Sequence, residues 1–147
     1  MRRQDKYPDT ATFHYHNENP RNKITGDCVV RAIATATGFT YESVVMDLAE
    51  LQAKTGYSGV TPDGYGRYLE QLGWIKHKQP RKWDNTKYTG EEFCKELLRY
   101  DSEIDSGNNM HRLIANIGGG HVVAIIEGQV YDTWDSTDGC IGNYWTL

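Results

Sequence analysis

The chain is short of several things, and each shortage closes off a class of protein. It has only three cysteines, Cys28, Cys94 and Cys140. An odd number of widely spaced thiols is no disulfide framework, and reduced thiols are expected. Nowhere does an apolar run approach the eighteen or so residues needed to span a bilayer. The opening Met1-Arg2-Arg3-Gln4-Asp5-Lys6 leads into no apolar stretch of the kind a secretory signal has. A cytoplasmic location is therefore expected, with no membrane partner. Basic residues are in deficit, 16 against 20 acidic, for a net charge of −4. Phosphate backbones need a concentrated basic surface, so nucleic acid is not the expected partner. Internal repeats and low-complexity tracts are also lacking, and four prolines with 15 glycines follow no collagen period.

What remains is the composition of an ordinary globular domain: 38% hydrophobic, 12% aromatic and 24% charged over 147 residues. That length supports one domain burying roughly 70% of its unfolded surface, with no need for metal or cross-links. A single domain spanning 1–147 is expected. Its polar opening carries Pro8 and Pro20, and residues 1–21 read as an irregular arm. The His14-Tyr15-His16 triplet lacks the remainder of a metal-ligand pattern, so no metal and no cofactor are expected.

Helical signals come first. Asp27 is placed as a cap for Cys28 to Thr37, with Gly38 as the stop. Apolar residues cover most of that segment's circumference, as in a buried helix. A second helix is expected from Thr40 through Val44, Leu48 and Leu51 to Gly56. A third has Thr61 as cap and Pro62 in its first turn, and ends before Gly73. A fourth opens on the capping box Thr89-Gly90-Glu91-Glu92. Strand signals follow, apart from a short one at Trp74-Ile75. Leu113 to Ile117 is one strand. His121 to Ile126 and Gln129 to Trp134 form a hairpin about Glu127-Gly128, and Asn143 to Trp145 is a last strand. Helices followed by strands indicate an α+β fold, helices packed on a small antiparallel sheet.

Three residues stand out chemically. Cys28 opens a helix, where unpaired N–H groups and the helix dipole favour a thiolate. The adjacent Asp27 opposes ionisation unless its carboxylate turns back to cap the helix and spends part of its charge on those same N–H groups. His121 starts an otherwise apolar strand and needs a polar partner. Across a two-residue turn, position 123 opposes 132, which makes Asp132 the diagonal neighbour of His121. A bulged turn would bring Asp135 there instead. A thiol at a helix start, a later histidine and an acid on an adjacent strand follow the order used in nucleophilic thiol catalysis. Residues 118–120, all glycine, lack the lysine and following helix of a phosphate loop; they would expose backbone beside His121. Lys76 to Trp83 is a basic stretch with the character of a solvated loop.

The chain resembles the papain-like cysteine peptidases, in the compact form of the bacteriocin-processing (C39-type) enzymes. The likeness is carried by Gly26-Asp27-Cys28, by Thr61-Pro62-Asp63-Gly64-Tyr65 leading to Leu72-Gly73-Trp74, by Gly119-Gly120-His121-Val122-Val123, and by Tyr131-Asp132-Thr133-Trp134. It implies a papain-like fold with a helical lobe presenting Cys28 to the sheet. It implies Cys28 as nucleophile, His121 as base and Asp132, in preference to Asp135, as the acid that orients His121, with Trp134 shielding that contact. It further implies an oxyanion hole made by Asn22 and the Cys28 amide. The chain departs from the pattern in carrying Asn22 in place of a glutamine and Val29 after the nucleophile. On this likeness the expected activity is a thiol hydrolase, a cysteine peptidase or isopeptidase with a peptide or protein substrate. Amidase, deamidase and transglutaminase chemistry use the same parts. A non-catalytic peptide-binding module on the same scaffold is the competing expectation, and zinc held by Cys28, His121 and a carboxylate a third.

Overall fold

The computed structural model of the chain describes residues 1–99 and 110–147. Five helices are described: α1 (Arg3–Lys6), α2 (Cys28–Thr37), α3 (Tyr41–Thr55), α4 (Pro62–Gln71) and α5 (Gly90–Leu97). Six strands, β1 (Phe13–Tyr15), β2 (Ile75–His77), β3 (Arg112–Ile117), β4 (His121–Ile126), β5 (Gln129–Asp132) and β6 (Ile141–Thr146), form one sheet. Their order across it is β1-β5-β4-β3-β6-β2. The architecture is α+β.

Two apolar cores lie on the two faces of this sheet. On one face α2, α3 and α4 bury Val30, Ile33, Val44, Leu48, Tyr65 and Leu69 against Ile114, Val122, Ala124 and Trp145. On the other, Phe93 and Cys94 of α5 pack with Phe13, Leu113, Ala115, Val123, Ile125 and Tyr144. Successive residues of β3 and β4 thus alternate between the two cores, and both faces of these strands are covered. This is why β4 reads as a continuous apolar run rather than an alternating one.

The helix boundaries follow the local chemistry of the chain. α2 and α3 stop at Gly38 and Gly56, which take the left-handed conformation with φ of 79° and 80°. At α5 the capping box is complete: Thr89 Oγ1 accepts from the Glu92 N–H, and Glu92 Oε1 accepts from the Thr89 N–H. The β4–β5 hairpin turns through Glu127 and Gly128, both with positive φ, and its register pairs Ala124 with Tyr131 and Ile126 with Gln129.

Several expectations are corrected. Residues 1–21 are not an irregular arm throughout: they hold the single turn α1 and the edge strand β1. Phe13 is fully buried, and β1 pairs in parallel with β5, matching Tyr15 to Asp132. The sheet is therefore mixed rather than antiparallel. A three-residue strand whose partner lies more than a hundred positions along the chain leaves no local pattern to read. Asp27 and Thr61 occupy the positions before their helices, but neither side chain caps. Thr61 Oγ1 donates instead to the Ser58 carbonyl.

That Ser58 carbonyl also accounts for a glycine. A Cβ built on Gly64 would stand 1.8 Å from the Ser58 oxygen, a backbone atom with little room to yield. Gly64→Ala is expected to destabilise the fold by on the order of 3 kcal/mol, since relief requires moving the loop or the helix. A thermal melt checks this, with Gly26→Ala, where no atom lies within 4 Å of the added carbon, as the control.

Candidate active site

β4 begins and β5 ends at the same end of the sheet, and the N-terminus of α2 meets them there. Cys28 is the first residue of α2 and is half-buried. His121 is the first residue of β4, and Asp132 the last of β5. The structure brings the three together. His121 Nε2 and Asp132 Oδ2 are 2.5 Å apart, the imidazole 18% exposed and the carboxylate 1%. Nε2 donates in that bond, so Nδ1 is the ring nitrogen free to address the sulfur. The Trp134 ring packs on His121, with centroids 4.9 Å apart.

Each group alters the protonation of the next. Burial pushes the Cys28 thiol up, but hydrogen bonding to His121 and to the Val122 amide, with the positive charges of His121 and Arg31, holds it below its ordinary value. Burial opposes the imidazolium of His121. The bonds and charges of Asp132 and Cys28 outweigh that and raise its pKa to about 9. Burial likewise opposes the Asp132 carboxylate, yet His121 and Arg31 keep it below the ordinary aspartate range. The directions are those of a thiolate–imidazolium pair steadied by a carboxylate. Cys94 provides the contrast: wholly buried, with its pKa pushed up to about 12, first by burial and then by the charge of Asp135.

The opposition of Asp27 to the neighbouring thiolate is resolved by where its carboxylate points. It is turned into the protein. Asp27 Oδ1 accepts from Arg31 Nε at 2.8 Å, and Oδ2 accepts from the Tyr41 hydroxyl at 2.7 Å and Asn19 Nδ2 at 3.0 Å. The helix-capping role is thereby given up. Arg31 continues across to Asp132, with Nη1 2.6 Å from Oδ1. Sequence reasoning passed over Arg31, Asn19 and Tyr41. One signal was present: an arginine within an otherwise apolar helix, four residues after an aspartate, is an i,i+4 ion pair.

The other candidates lie as follows. Asn22 sits in an exposed loop with φ of 55°, and its Oδ1 accepts from Asn17 Nδ2 at 3.4 Å. Among the described residues no hydrogen bond joins it to Cys28. Asp135 accepts from the N–H and hydroxyl of Thr137, a turn-forming role. Residues 118–120 form the β3–β4 turn, with positive φ at Gly118 and Gly119, and a Cβ on any of the three would meet open space. His14 and His16 are paired with Asp9 and Glu18. Among the described residues no set of three or more histidine, cysteine or carboxylate side chains is arranged to hold a metal ion. Nor is any helix among them long and apolar enough to cross a membrane. Tyr65 of α4, buried, lies near enough to Cys28 to feel its charge.

Comparison of the chain with protein-family models, with curated proteins and with solved structures finds no match.

Proposed function

We propose that the protein is a thiol hydrolase of papain-like type, acting on peptide or isopeptide bonds through an acyl-enzyme. The observation that carries this reading is the meeting of Cys28, at a helix N-terminus, with an imidazole that is itself held by a buried carboxylate. Nothing in ordinary packing calls for a low-pKa thiol, a high-pKa imidazole and a buried acid in one row.

The chemistry follows from the geometry. His121 Nδ1 takes the Cys28 proton, and the Asp132 carboxylate stabilises the resulting imidazolium. The thiolate attacks the substrate carbonyl, forming a C–S bond and placing negative charge on the oxygen. The Cys28 N–H, one of the unpaired donors at the start of α2, is positioned to receive that charge. As the tetrahedral intermediate collapses, the C–N bond breaks and the imidazolium returns its proton to the leaving amine. Water then attacks the thioester, with His121 as base, and frees Cys28. Asn22, whose Oδ1 accepts from Asn17, is not joined to this site by any hydrogen bond among the described residues. The same steps serve an amidase, a deamidase or, with an amine replacing water, a transglutaminase.

The test is thiol reactivity. At about pH 6 iodoacetamide should modify Cys28 at least about tenfold faster than Cys94 or Cys140, as read by mass spectrometry of the peptides, because the thiolate is the reacting species. His121→Ala should remove most of that advantage. Equal, slow modification of all three thiols would overturn the proposal. The orientation of Asn22 favours the second reading, a peptide-binding module without turnover. That reading predicts no release of acid or amine from acyl-thioester and amide substrates by a protein whose Cys28 nevertheless labels rapidly.

A pH profile adds a second check. Acid catalysis on the leaving amine needs the imidazolium, so turnover should fall on the alkaline side near the His121 pKa of about 9.

A further inference from the structure

We propose that Arg31 is a positioning residue for this site, fixing the carboxylate of Asp132 for His121 and neutralising Asp27 beside the nucleophile. The proposal rests on the thiol-hydrolase reading and adds a residue to it.

The guanidinium is a planar fork of fixed geometry, and here it is used at two points. Nε bonds Asp27 Oδ1 at 2.8 Å, within the helix that carries Cys28. Nη1 bonds Asp132 Oδ1 at 2.6 Å, on a strand 101 residues further along. The arginine side chain is 10% exposed, so both bonds form away from bulk water. With the Thr133 N–H also on Asp132 Oδ1 at 2.7 Å, that oxygen is occupied. Oδ2 is left for His121, which fixes the plane of the carboxylate and so the direction of the imidazole. One cation also ties α2 to β5 and sets the spacing between the sulfur and the ring it must meet. Finally, Arg31 offsets two negative charges that would otherwise raise the thiol pKa.

Among the described residues, the charged and titratable groups around Cys28 are Asp27 just before α2, Arg31 on α2, His121 on β4, Asp132 on β5 and Tyr65 on α4, with Tyr41 of α3 reaching Asp27. A buried ion cluster with a purely structural role would change stability and nothing else. The positioning role predicts a change in the pH profile of Cys28 alkylation, with opposite signs for two variants. Arg31→Met leaves two carboxylates uncancelled, so the acid limb of the iodoacetamide profile should move up by about one pH unit, slowing labelling at pH 6 about tenfold. Asp27→Asn removes a negative charge and leaves Arg31 on Asp132, so its limb should move down. Both variants should melt at lower temperature than the parent protein. Arg31→Lys, which keeps the charge and loses the fork, should return the limb most of the way. If Arg31→Met does not fold, the Asp27→Asn profile decides alone.

Lower melting temperatures with an unmoved alkylation profile would overturn the proposal and leave the thiol-hydrolase reading standing. Slow labelling of Cys28 in the parent protein would remove that reading itself, so the two failures are told apart.

Discussion

On the proposed thiol-hydrolase reading, Cys28→Ala is expected to lower turnover of any amide or thioester substrate by roughly 10⁵–10⁶-fold, the size of effect seen when a covalent nucleophile is deleted. The loss comes from a change of route. Without the sulfur no acyl-enzyme forms, and what remains is whatever acceleration bound donors give to attack by water. His121→Ala should approach the same floor, because a thiol without its base loses both the initial deprotonation and the proton returned to the leaving amine. The double variant Cys28→Ala/His121→Ala should be little worse than either alone, since the two act as one unit. Steady-state rates for the three variants check this. Additive losses would mean that the residues act separately, contrary to the proposed mechanism.

Asp132→Ala should have the largest effect on stability. The carboxylate is 1% exposed and accepts from His121, Arg31 and the Thr133 N–H. Its removal strands a buried guanidinium with only Asp27 as partner and leaves the imidazolium with only Cys28. Breaking a buried pair from one side costs about 3–5 kcal/mol, and for a chain of this size the melting temperature should fall by roughly 10–15 °C. The loss should depend on pH in a defined way. The His121 pKa is raised from 6.5 to about 9, so its contribution to stability is complete below about 6.5 and fades as pH climbs through 9. The Asp132 pKa is lowered from 3.8, so its contribution is present above about 3.8 and lost as pH falls through the depressed value. The gap between parent and variant should therefore be widest between about pH 4 and 6.5 and should narrow on either side. Urea titrations across that range measure it. A gap independent of pH would show that the side chain matters by its shape alone.

The parts of this site differ in how far they could be read from the chain. Cys28 at a helix start was legible because Gly38 ends the helix and the apolar run begins at once. The pairing of His121 with Asp132 was legible in part: a two-residue turn at Glu127-Gly128 makes them diagonal neighbours, a bulged one would have favoured Asp135, and the likeness to papain-like enzymes tipped the choice. In both cases the determining interactions are local. Arg31 was not legible as a member, because its second partner is set by the docking of α2 on the sheet, which no short window encodes. The direction of the Asp27 carboxylate escaped for the same reason. A capping role within the chain competes with partners brought in from α3 and the loop before α2, and tertiary contacts win. The parallel partnership of β1 with β5 is the plainest case. Phe13-His14-Tyr15 carries no stronger signal than many surface segments, and only burial of Phe13 under the finished sheet selects it.

That partnership governs the order in which the protein can be completed. The His16 N–H donates to the Asp132 carbonyl at 2.8 Å, and Arg3 Nε donates to the Thr133 carbonyl at 2.7 Å. A segment made early is thus held by residues made more than a hundred positions later. It must wait, unpaired, until β5 emerges. Proteolytic cleavage after residue 16 would loosen the hold on the backbone on either side of Asp132, so an event remote in sequence would register at the sulfur.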